Sequence, residues 1–242
     1  MNNTRQTKTF ISAMVVAAIG AAGYAGFQSH TVHIYYGLAL LALSAATSRM
    51  RVKLPGIEGN MSVNLPFLLI AVVNLSAAEA VAIAGVSTMV QCWPKSESKF
   101  KPEQMVFNVS MMAFATSVAS MLWHVGWLGR TAWASESLLL ASTTATFFLG
   151  QTAPVAGIIK LTEGAAMRRV WMGIAQLTFP YYVISAGMTS MVNAVSHHMG
   201  WQLALAIFPV MYGIHRSYRL YFGRAVENVR PVELARAAKA GA

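Results

Sequence analysis

The chain contains no aspartate: all eight of its acidic residues are glutamates, set against eighteen lysines and arginines. That absence excludes metal sites and phosphate-transfer motifs built on aspartates. A single cysteine, Cys92, excludes any internal disulfide; beside Trp93-Pro94-Lys95, it reads as a small apolar filler at a helix end. Charge is scarce as well, at 11% of 242 residues, while 56% are hydrophobic and the mean hydropathy is +0.51. Those values belong to integral membrane proteins rather than to soluble domains. Catalytic signatures are missing too. There is no Gly-x-x-x-x-Gly-Lys phosphate loop and no Gly-x-Gly-x-x-Gly, and Gly85-Val86-Ser87 lacks the closing glycine of a nucleophile elbow. Serine and histidine coexist, so an intramembrane hydrolase stays open.

What is present is a succession of apolar runs. They cover Phe10–Phe27, His33–Ser48, Ser62–Leu75, Ala77–Trp93, Glu103–Trp123, Ser137–Ile159, Val170–Val195 and Trp201–Tyr221. The first comes after Arg5 and Lys8 like a signal peptide, but its length and the lack of a small-x-small cleavage site favour a retained helix. Ala18, Ala22 and Gly26 recur every four residues along it, a small-residue packing face. The stretch from Met61 to Trp93 carries one charge, Glu79. It is too long for one upright crossing, which needs about 20 residues, and short for two. Ser76 followed by Glu79 has the form of a capping box, so the expectation is two short helices folded back as a hairpin, with Glu79 capping the second.

Charge tests this layout independently. In the eight-helix arrangement every basic residue except Arg130 falls on one side, and the positive-inside tendency then puts both termini in the cytoplasm. The same sorting explains the net charge of +10 better than a nucleic-acid partner does. The expected fold is therefore all-α: a polytopic inner-membrane bundle of about eight transmembrane helices over residues 1–222, with a basic cytoplasmic tail, 223–242, after it.

Candidate functional residues fall in two groups. Asn64, Asn74, Glu79, Asn108 and Gln151 are polar residues within or near apolar helices. Amides in hydrocarbon need partners, so helix–helix bonding is the plainer reading and a pocket for a small ligand the sharper one. His30, His33, His124, His197 and His198 all map to the predicted outer face, where imidazoles are candidate zinc or copper ligands or a pH switch. The plainer reading is that interfacial loops tolerate histidine. Too few mid-membrane acids are present for a proton pump.

Leu54-Pro55, then Met61-Ser62-Val63 leading into an apolar run, then Phe107-Asn108 opening a long helix, then Pro209 ahead of His215-Arg216-Ser217-Tyr218-Arg219-Leu220-Tyr221 form an ordered set. Over roughly residues 33–222 this order resembles the N-terminal multi-helix membrane regions of bacterial signalling proteins that carry GGDEF or HD-GYP output domains. The resemblance implies a membrane sensor whose last helix leads to a cytoplasmic catalytic domain. Here the chain ends at Ala242, so the expected function is a sensor or ligand-binding module acting through a signalling or transport partner. Two alternatives stand beside it. One is a transporter or substrate-binding transporter subunit for a small solute, by a looser similarity to the compact subunits of vitamin transporters. The other is a metal-binding membrane protein using the outer histidines.

Overall fold

The computed structural model describes residues 2–27, 33–53, 60–94, 100–124, 136–199, 207–213, 216, 217 and 220. The expected tail, 223–242, lies outside them. Seven helices are present among the described residues: α1 (Asn2–Phe27), α2 (Ile34–Ser48), α3 (Leu65–Asn74), α4 (Ala77–Cys92), α5 (Pro102–His124), α6 (Glu136–Glu163) and α7 (Met167–Met199). A further helical segment covers 207–213. The fold is all-α apart from one short antiparallel ribbon, β1 (Arg51–Lys53) with β2 (Asn60–Ser62), in which Val52 pairs with Met61.

That ribbon corrects one boundary. The helix expected from Ser62 begins at Leu65, because Ser62 closes the ribbon opposite Arg51. Pro66 in the first turn suits this start, since the N–H it lacks would have no partner within the helix. The break at Leu75–Ser76 stands where the sequence puts it. Ser76 is in extended conformation and forms both halves of a capping box with Glu79. The chain reverses there, so that Asn64, before α3, reaches Ser87 on α4.

The buried core is built around α3. Every side chain from Leu65 to Val73 is buried. A helix apolar on all sides has to be enclosed, and α3 is: it packs against α2, α4, α5 and α7. At ~1.5 Å per residue its ten residues span about 15 Å, half of a ~30 Å hydrocarbon core. The α5–α6 seam is the tightest backbone approach among the described glycines. A Cβ on Gly150 would sit 2.9 Å from the Ala115 Cβ. Pro154 and Pro180 lie inside α6 and α7, which continue through them. Gly164, with φ +71°, ends α6 in the left-handed region and donates its N–H to the Lys160 carbonyl at 3.0 Å.

Among the described residues two helices, Arg5–Phe27 and Pro102–His124, are long and apolar enough to cross a membrane; α2, α3 and α4 are apolar but shorter. Among the described side chains of α1 only Met14, Ala18 and Ala25 are buried, whereas Val16, Ile19 and Phe27 are at least two-thirds exposed. On the packing face read from the sequence Ala18 is buried, and Ala22 and Gly26 are partly exposed.

Candidate functional site

A short helix inside a bundle has a problem at each end. Its first N–H groups and last carbonyls find no partner within the helix and cannot reach water. In this chain side chains from distant elements solve it. At the start of α3, the Leu65 N–H donates to the Tyr181 hydroxyl of α7 at 3.1 Å. Asn64, 3% exposed, accepts from the Ser62 hydroxyl at 2.6 Å and donates its amide to Ser87 Oγ at 3.5 Å. At the other end, the His124 ring closes α5 onto α3: Nε2 lies 3.1 Å from the Val72 carbonyl and 3.0 Å from that of Leu75. Both partners are acceptors, so Nε2 carries the hydrogen. Asn74 donates to the Ile70 carbonyl in its own helix at 3.1 Å.

The turn after α3 is bound just as closely. Glu79 Oε2 accepts from the Ser76 N–H at 3.0 Å and the Ser76 hydroxyl at 2.7 Å. Glu79 Oε1 accepts from the His33 N–H at 2.7 Å, which ties the start of α2 to the start of α4. One turn is therefore held from two sides, by the His124 ring on the Val72 and Leu75 carbonyls and by Glu79, which also takes the His33 N–H. Glu79 is a helix cap, as the sequence suggested, and the His33 contact adds a tertiary role.

The five candidate ligand residues do not surround one cavity. Asn64 and Asn74 flank opposite ends of α3. Asn108 donates to Cys92 Sγ at 3.4 Å, joining α5 to the end of α4. Gln151 lies between α5 and α7: its amide donates to Met112 Sδ at 2.9 Å, and its carbonyl oxygen accepts from the Tyr182 hydroxyl. Each of the five has a partner within the chain; for Asn64, Asn108 and Gln151 that partner lies on another helix, which is the bonding role amides take between helices.

Of the histidines, His30 lies outside the described residues. His197 and His198 fall in the last turns of α7, and their side chains are not described. Among the described residues no group of three or more His, Cys, Asp or Glu side chains is placed to hold a metal ion.

Two features escaped the sequence reading. Tyr181 looks like one more aromatic in an apolar run, and nothing in its spacing reveals that it meets the Leu65 N–H 116 positions away. The second is a set of buried hydroxyls without partners among the described residues: Ser44, Thr116, Ser120, Thr143 and Thr144. Their density on α5 and α6 is visible in the sequence, but their burial is not. No family model, curated protein or solved structure matches the chain.

Proposed function

We propose that the chain is a multi-pass membrane protein working as a non-catalytic sensor or ligand-binding module through a partner. In this reading α1, α2 and α4–α7 with the segment 207–213 form the membrane body, and α3 is a half-length helix held inside it. Apolar side chains exposed on α1 and α7, such as Ile19 and Met191, support lipid as the surrounding solvent.

The observation carrying the functional reading is the two-ended attachment of α3, to α5 through His124 and to α7 through Tyr181. Broken helices inside membrane bundles often line interior sites, since their ends present backbone groups that a ligand can take over. A ligand competing for either end of α3 would release α5 or α7, and α7 leads toward the helical segment 207–213. In this reading a ligand takes over bonds now made within the chain: those of Asn64 at the start of α3, of Asn74 and Glu79 at the turn, of Asn108 between α5 and α4, and of Gln151 between α5 and α7. The resemblance to membrane sensor regions of signalling proteins points the same way.

Native mass spectrometry of the full chain released from mild detergent tests this. A small-molecule adduct is expected on the wild type and is expected to be lost from Asn64→Ala and Asn108→Ala. A bare chain mass in every preparation would end the ligand reading. Topology is tested separately with a Ser76→Cys variant in intact spheroplasts. Impermeant maleimide should label it from outside, and labelling only after lysis would overturn the arrangement.

A further inference from the structure

We propose that the start of α7 binds the phosphate headgroup of an anionic phospholipid, with an acyl chain along the outward face of the same helix. A shallow open depression of about 520 Å³ lies there, lined by Ala166, Arg168, Arg169, Met172, Gly173 and Gln176. Its rim is cationic and its floor mostly apolar. Among the described residues neither arginine has an ion-pair partner; the ion pair present among them joins Lys8 of α1 to Glu103 of α5, at 3.6 Å between exposed side chains. Guanidinium forks match phosphate oxygens geometrically, and Gln176 adds an amide donor.

A second observation is an apolar stripe beyond the arginines. The outward face of α7 continues from Met172 through Phe179 to Val183 and Ile184, all between 42% and 58% exposed. These residues recur at helical spacing, so they form one stripe. A Cβ at Gly173 or Gly187 would meet no atom within 4 Å, so the surface of α7 is uncovered at these two points, near the start of the stripe and just past its end. From Met172 to Val183 it runs about 16 Å at ~1.5 Å per residue, comparable to one leaflet of a ~30 Å hydrocarbon core. A cationic rim joined to an apolar track of leaflet length fits an amphiphile. A free phosphate would use the rim and leave the track empty. The proposal rests on the membrane reading but not on the sensor reading.

The test uses the full chain in a neutral detergent, with lipid binding read by native mass spectrometry. The probes are phosphatidylglycerol, phosphatidylcholine with the same acyl chains, and inorganic phosphate. Wild type should favour the anionic lipid by on the order of tenfold or more, since each juxtamembrane arginine favours anionic lipid by roughly five-fold. The double variant Arg168→Ala/Arg169→Ala should bring the two lipids to near parity, and Arg168→Lys/Arg169→Lys, which keeps the charge but loses the guanidinium forks, should fall between the alanine variant and wild type. Gly173→Leu should weaken phosphatidylglycerol binding while leaving the lipid-free unfolding midpoint no lower, because its Cβ enters open space at the surface of α7. Equal binding of the two lipids by wild type, or an undiminished preference in the alanine variant, overturns the proposal. So does inorganic phosphate displacing the lipid at comparable concentration, which would mark a free-anion site. Failure of the membrane reading would show differently, as a chain that stays soluble without detergent.

Discussion

Tyr181→Phe removes one oxygen from the centre of the bundle and changes little else in shape. Tyr181 is 2% exposed and Leu65 4%, so the Leu65 N–H loses its 3.1 Å acceptor with no water to replace it. A buried donor left unsatisfied costs about 1–3 kcal/mol in soluble proteins. Side-chain hydrogen bonds inside membrane bundles average only about 0.6 kcal/mol, because the unfolded chain in lipid finds other partners. The group here is a backbone N–H at a helix start, fixed in direction by the Pro66 turn, so it has little freedom to find a substitute. An intermediate loss of about 1–2 kcal/mol is expected from these two scales. Reversible unfolding in mixed micelles measures it, with Tyr212→Phe as control. Tyr212 is 49% exposed, and its change should stay within about 0.5 kcal/mol. If Tyr181→Phe is as neutral as the control, the idea that α3 depends on a tyrosine from α7 for its first N–H is refuted.

The same geometry sets further expected outcomes. His124→Ala leaves the Val72 and Leu75 carbonyls without their shared donor and should cost about 1–3 kcal/mol, with faster hydrogen exchange at residues 72–76; unchanged exchange there would show that α5 does not hold the turn. Gly150→Val drives a branched side chain into the Ala115 backbone and should destabilise by about 1–3 kcal/mol or more, whereas Gly187→Val, in open space, should cost well under that by the same unfolding assay. Ser76→Ala removes one half of the capping box and should lower stability by about 0.5–2 kcal/mol; pairing it with Glu79→Gln should give less than the sum, since the two side chains share one cap. Phe147, fully buried on α6, should cost about 3–5 kcal/mol when cut to alanine.

Much of the fold was legible because its signals are local. The capping box at Ser76 and Glu79 needs only a hydroxyl and a carboxylate three residues apart, and it appears where those residues sit. The helix ends at Ser48 and Asn74 reflect where apolar runs stop, within a residue of expectation. The start of α3 was misplaced because Ser62 belongs to a ribbon whose other strand lies across residues 54–59, and pairing between strands leaves no mark in a run of apolar residues. The candidate site was legible only in its residue types. Asn64, Asn74, Asn108 and Gln151 were recognisable as amides needing partners, but Ser87, Cys92, Met112 and Tyr182, the side chains that serve three of them, lie on other helices.

By itself the sequence determined that this chain is helical, apolar and broken at Asn74–Ser76, because hydrogen bonding within a helix, capping and hydropathy act over a few residues. Only the tertiary structure decided that α3 is the enclosed helix, and that His124 and Tyr181 hold its ends. The physical reason is that an unpaired backbone group fixes the need for a partner but not its identity. Whichever side chain the packing of the other helices brings within about 3 Å takes the place.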